Sequence, residues 1–286
     1  MSSDTVVTGS GEAKRTGLLT RLGAKGVVGL FCCLSVTAFA VLAPWVIPGS
    51  PLDFVAAPFM SPGPGLPLGG DALGRDALVR VAHGGYQILA LSFCAAVIGV
   101  LSGALIGISA AYARGLLDNV LMRGLDVVLA FPQTILALLF VSILGPRWWI
   151  IMGIVAVIHV PEVARVVRAA SLRIVGEEFV QFAEMAGTST PRIIIREILP
   201  NLLNVVAVEF GLRLTYSIAI ISVLSFLGFG QQPPIPDWGL MINENRIGLT
   251  VNPWPVLVPV MLIAILTIGI NLVADALLQR SPIEKE

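Results

Sequence analysis

Two charges of opposite sign, Glu209 and Arg213, stand four residues apart inside a long apolar run. Glutamate first and arginine second at i, i+4 lets them pair on one face of a helix. A charge at membrane depth faces protein or a watery cavity. The pair therefore either lines an aqueous path near its cytoplasmic half or neutralises itself against a neighbouring helix. Other reactive groups are sparse. His83 and His159 are isolated, and Cys32, Cys33 and Cys94 lie in apolar runs without the spacing of a ligand set, so all five read as structural. The sequence holds no Gly-x-x-x-x-Gly-Lys-Ser/Thr run and no His-Glu-x-x-His, the signatures of one kind of nucleotide-binding loop and one kind of metalloprotease. Ser109 and His159 could be offered to an intramembrane serine protease, but Gly107-Ile108-Ser109-Ala110 reads as ordinary span sequence. The chain is expected to be non-catalytic, with no cofactor or metal of its own.

A second constellation lies between Arg165 and Pro200. With Glu162 just before it, this stretch carries five arginines and five glutamates between two apolar runs. Backbone and charge of that kind are costly in hydrocarbon, so the stretch is expected to be an aqueous loop with short helices of its own. Glu177 and Glu178 follow Gly176 and suit the first turn of a helix, where the dipole favours acids. Phe179, Phe182, Ala183 and Ala186 recur at i, i+3, i+4 and i+7, an apolar stripe on one face. Gly187 is placed to stop the helix, and Thr190-Pro191 to cap and start another. The pattern alone fits either an amphipathic helix lying on the membrane surface or a handle for a partner.

Composition sets the elements that must position these groups. Of 286 residues, 56% are hydrophobic and 13% charged, against about 25% charged in soluble domains, and the mean hydropathy is +0.89. The chain is an all-α, polytopic membrane protein with lipid as its surroundings, and no basic patch suggests nucleic acid. Residues 1–25 read as a cytoplasmic tail and 26–47 as an uncleaved first span, with cleavage after Ala38-Phe39-Ala40 as the alternative. Residues 48–82 are a Pro/Gly-rich extracytoplasmic loop, in which Gly74 makes a turn and Asp76 caps the helix that follows.

The core covers 83–280, with further spans at 84–113, 126–145, 148–164, 201–229 and 254–278, and 281–286 is a short cytoplasmic tail. Gly99, Gly103 and Gly107 form a small-xxx-small row for close helix approach, and Pro132 should kink the third span. Six spans put both termini on one side. With that side cytoplasmic, thirteen Lys and Arg fall inside and four outside, leaving Arg213 within a span, so the charged loop is cytoplasmic.

Several motifs resemble those of ATP-binding-cassette (ABC) importer permeases of the dipeptide, oligopeptide and nickel family. Phe179-Val180-Gln181-Phe182-Ala183, then Gly187, then Ile198-Leu199-Pro200 is similar to the EAA loop, with Gln181 in place of its Glu and Phe182 in place of an Ala. Leu68-Gly69-Gly70-Asp71-Ala72-Leu73-Gly74-Arg75-Asp76 resembles the LGTD-x-x-GRD signature before span two. Asp126-Val127-Val128-Leu129-Ala130-Phe131-Pro132 resembles D-x-x-LAFP, and Arg165-Val166-Val167-Arg168 with Leu172-Arg173 resembles the R-x-VR…LR lead-in. Leu224 to Gly239 resembles LSFLGLG-x-QPP-x-x-WG.

The resemblance covers about residues 68–280 and implies a six-helix type I importer permease, the shorter of two different permeases, in a bacterial inner membrane. It implies a second homologous permease, two ATPase subunits that bind ATP and Mg, and an extracytoplasmic binding protein. It casts Glu178, Phe179, Gln181, Phe182, Ala183, Glu184, Ala186, Gly187, Thr188 and Arg192 as the coupling helix that meets the ATPase. Pro233, Pro234, Asp237 and Trp238 become candidate contacts for the binding protein. Peptide is the expected solute, with nickel chelates and glutathione as alternatives. A secondary transporter or a channel stays open as a more distant reading, with Glu209 the nearest thing to a coupling-ion site.

Overall fold

The computed structural model describes residues 18–278 as helices joined by short turns and one folded outer loop. The helices are α1 (Leu18–Val46), α2 (Ala77–Ala113), α3 (Gly115–Leu129), α4 (Gln133–Leu144) and α5 (Trp148–Ile174). They continue with α6 (Glu178–Met185), α7 (Thr190–Ile193), α8 (Leu203–Phe226), α9 (Trp238–Asn245) and α10 (Trp254–Leu278). Five stretches are long and apolar enough to cross a membrane: Gly23–Val46, Ala77–Ala113, Trp148–Ile174, Thr190–Phe226 and Trp254–Leu278. The α3–α4 pair, bent by 83°, is the candidate for a sixth crossing. The bend falls at Pro132, whose ring cannot continue the helix and which biases Phe131 toward extended backbone.

Three boundaries move from their expected places. Residues 115–125, expected between spans, are the first part of α3, which leaves α2 through Arg114 and Gly115, both at positive φ. The fourth span does not end at 164, because α5 runs on to Ile174. Val167 and Ser171 extend its buried face against α2, and burial outweighs the arginines that solvate the other side. The fifth span starts before 201, since Thr190–Phe226 is one continuous stretch. Of the expected N-terminal tail, residues 1–17 lie outside the described residues, as do 279–286. Leu18 onward belongs to α1, which is interrupted at Gly23 (φ 68°, ψ 174°).

Packing centres on α2 and α5. The glycine row faces α5: a Cβ at Gly99 would lie 2.8 Å from the Ala156 carbonyl oxygen, at Gly103 2.7 Å from Val163 Cβ, and at Gly107 2.5 Å from the Ala164 carbonyl oxygen. Backbone cannot retreat from such contacts, so Gly103→Val is expected to lower stability by about 3 kcal/mol, read as an earlier unfolding transition of the purified protein in detergent. A second close approach, Gly29 against Gly269, joins α1 to α10.

Candidate functional site

The charged stretch folds as a bent pair of helices with an apolar root and an exposed tip. Val180 of α6 is fully buried and belongs, with Val175, Ile193, Ile198 and Leu202, to one cluster with Val100, Ile108, Val163 and Val167 of α2 and α5. On the opposite face Phe182 is 71% exposed and Met185 80%, with Phe179 beside them. These residues, with Glu178, Gln181, Ala183 and Glu197, line a shallow depression of about 750 Å³. The expected stripe of Phe179, Phe182, Ala183 and Ala186 lies on the outward side, with Ala183 half-buried and Ala186 exposed, and Val180, outside the stripe, is the anchor.

Gly187 ends α6 as expected, at φ +73°. The Gly187 N–H donates to Glu184 O at 2.9 Å and the Thr188 N–H to Ala183 O at 3.1 Å, a Schellman closure. The next helix starts one residue earlier than expected. Ser189 occupies the N-cap, Thr190 and Pro191 follow it, and no side chain caps the turn. Glu184 and Arg192 are exposed and Thr188 is half-buried. Gln181 Nε2 donates to Gly176 O at 3.0 Å, a bond that a carboxylate could not make, so the amide is suited to this position.

Beyond α7 the chain winds as a π turn over Ile194–Ile198 and a 3₁₀ turn over Leu199–Leu202 before α8. Pro200 has no N–H to give the preceding turn. Asn201 Nδ2 instead donates to the Glu197 carbonyl at 2.6 Å.

Glu209 and Arg213 lie on α8, both buried, with Arg213 Nε 3.3 Å from Glu209 Oε2. That contact lacks hydrogen-bond alignment, so it is ionic only. Arg213 is also ion-paired with Glu162 of α5, whose other carboxylate oxygen accepts from Gln133 Nε2 at 2.7 Å. Glu162, counted with the loop charges, lies within α5, inside the span expected at 148–164. One turn away His159 Nε2 meets Ser217 Oγ at 2.9 Å, so α5 and α8 are joined by two polar rungs. Nearer the charged loop, Arg165 and Arg168 of α5 pair with Asp126 and Asp118 of α3. Apart from Glu209–Arg213, none of these pairings was visible in the sequence, where the partners are far apart.

On the opposite side the loop after α1 is locked to α9. Buried Asp71 accepts from the Leu73 and Arg75 N–H groups, each at 2.8 Å. Arg75 Nε reaches its Oδ2 at 2.7 Å and Arg80 Nη1 at 2.5 Å. Glu244 Oε2 bridges the second nitrogens of both arginines, at 3.2 and 2.9 Å. Burial pushes the Glu244 carboxyl above its ordinary range; Arg75 works in the opposite direction. Asn245 accepts from the Ala72 N–H, and Asn252 donates to the carbonyls of Met60, Leu68 and Gly70. Gly74 turns at φ +78°, and Asp76 caps α2 through the Leu78 and Val79 N–H groups.

Two of the residues offered as binding-protein contacts are not at the surface. Trp238 is fully buried against Gly84, Gly85 and Ala40, and its indole N–H donates to Val81 O at 2.8 Å. Asp237 is buried too and does not sit in a simple turn: it is the N-cap of α9, accepting from the Leu240 N–H at 3.0 Å. Burial raises the Asp237 carboxyl's pKa, while hydrogen bonds from Leu240, Ser225 and Gly239 pull it back. Asparagine keeps the cap without the buried charge. Asp237→Asn is therefore expected to change stability by less than about 1 kcal/mol, and Asp237→Ala to cost about 1–2 kcal/mol, both by thermal unfolding. Pro233 and Pro234 are exposed.

Comparison with known proteins agrees with this architecture. Residues 103–281 match the family described as "Binding-protein-dependent transport system inner membrane component". A Brucella suis protein provisionally named a peptide transport system permease is 37% identical over 251 residues, 87% of this chain and 84% of the relative. The glutathione transport system permease protein GsiD is 33% identical in Pectobacterium atrosepticum, over 87% of this chain and 83% of the relative. In Escherichia coli GsiD is 35% identical, over 87% and 82%. A chain of the MetNI methionine ABC transporter in inward-facing conformations superposes with a TM-score of 0.52 at 17% identity, over 69% of this chain and 96% of that one, which is a likeness of fold. The chain belongs to the binding-protein-dependent transport system inner membrane components, the non-catalytic, multi-pass permease subunits of ABC importers.

Proposed function

We propose that this permease forms half of a path for di- or oligopeptides, with a second homologous permease as the other half. An extracytoplasmic binding protein delivers the solute, and two separate ATPase subunits hold ATP and Mg and supply the work. The choice of peptide is supported by the names of the relatives, a peptide permease and glutathione permeases. Glutathione, itself a small peptide, is the second reading.

The observation that carries the coupling role is the two-sided character of α6. Its root, Val180, is buried with α2 and α5 residues, while Phe179, Phe182 and Met185 project from the body. An exposed aromatic and thioether tip on a rooted helix suits insertion into a cleft on a partner. A displacement of the tip is then carried into α5 and α8 as a rigid-body movement. Glu178, Gln181, Glu184, Thr188 and Arg192 rim the same elbow. In this reading Glu209 and Arg213 border the path, Arg213 through its ion pair with Glu162, and Pro233 and Pro234 remain as the outer contacts.

Purification of the tagged permease from its native host tests the assembly. Co-elution of two ATPase subunits and a second permease is the expected result. Elution alone, with solute uptake driven by an ion gradient, would overturn it.

A further inference from the structure

The seam between α5, α8 and the start of α4 holds two carboxylates, Glu162 and Glu209, for one guanidinium, Arg213. One negative charge is left over at membrane depth, where an unbalanced charge is costly. The excess has an open side. Glu209 is buried, and its Oε2 has no hydrogen-bond partner among the described residues. The Glu162 side chain, by contrast, is 33% exposed. Gln133 spends its Nε2 on Glu162, which leaves its own carbonyl oxygen free to accept. Tyr216, whose ring carries the Arg213 guanidinium at 5.2 Å, is 50% exposed. An accessible carboxylate, a free amide oxygen and an aromatic rim are acceptors for a cation.

We propose that Glu162, Gln133 and Tyr216 form a subsite for a primary ammonium group of the passing solute. Glu162 supplies the balancing charge and Gln133 Oε1 takes one N–H. Arg213 keeps the Glu162 carboxylate in place. The subsite rests on the reading that this seam borders the path. It would favour solutes with a free amine, which peptides and glutathione share, over chelates that lack one.

Thiol labelling in the assembled importer tests both layers. Cys32, Cys33 and Cys94 are replaced by alanine and Tyr216 by cysteine, and labelling of this subunit is followed with cationic aminoethyl and anionic sulfonatoethyl methanethiosulfonate. Relative to a free thiol in solution, the cation is expected to be favoured by about tenfold, and adding Glu162→Gln to abolish that preference. Trialaninamide, a cation without a carboxylate, is expected to slow the cationic reaction, and N-acetyl-trialaninamide not to. Reaction with no charge preference, or a preference unmoved by trialaninamide, would overturn the ammonium subsite and leave the path reading standing. No reaction with either reagent would overturn both.

Discussion

Replacing Asp71 by asparagine is expected to destabilise the folded permease by about 3–5 kcal/mol. The carboxylate receives two backbone N–H groups and one nitrogen from each of Arg75 and Arg80, all out of contact with water. Without its charge, two guanidinium groups share the single carboxylate of Glu244, and the Arg80 Nε already lacks a hydrogen-bond partner among the described residues. A stranded buried charge costs far more than the pair contributes when intact. Pairing Asp71→Asn with Arg80→Met should recover most of the loss, because it removes the stranded charge as well. Thermal unfolding of the single and double variants in detergent checks the claim, and equal destabilisation in both would contradict it.

Phe182→Asp should reduce ATP-driven uptake by about thirtyfold or more, the equivalent of about 2 kcal/mol of lost docking, while the protein still inserts and folds. The side chain is solvent-facing, so the carboxylate has no core to disrupt, and on the proposed coupling role what it loses is an apolar seat on the ATPase. Gly187→Pro should give the same phenotype by another route. Proline cannot adopt φ +73° and would delete the N–H that bonds Glu184 O. Proteoliposome uptake with normal amounts of inserted subunit is the measurement. Unimpaired uptake in Phe182→Asp would count against the coupling role.

What the sequence made legible was governed by local rules. The glycine row of α2, the break at Pro132, the positive-φ stop at Gly187 and the Asp76 cap each depend on residues within a turn or two, and each stands where its spacing put it. The motif resemblance supplied the family. What stayed hidden was set by chain segments meeting from afar. Trp238 reads as an interfacial aromatic until Gly84, Gly85 and Ala40 are seen to make a slot for it. Glu162 falls within the span expected at 148–164, but its partner Arg213 lies on another helix and could not be read from spacing. The length of α3 was missed because its mixed surface lacks a span's hydropathy, and Arg165 and Arg168 tie it to α5 instead. In α6 the stripe counted by period included both aromatics, but the single buried position, Val180, lay between them.

The stretch from Thr190 to Phe226 has a mechanical consequence. It is 37 residues long, so at 1.5 Å per residue it is a shaft of about 55 Å. A tilt of about 10° at its inner end would sweep the outer end through about 10 Å, enough to open or shut a passage of solute width. Near the driven end the winding is loose over Ile194–Ile198 and tight over Leu199–Leu202. These opposite departures from the α-helical pitch lie side by side between α7 and α8. If the elbow is driven as proposed, a crank built this way would deliver leverage to the far side of the bilayer and spend the accompanying twist close to where the force is applied.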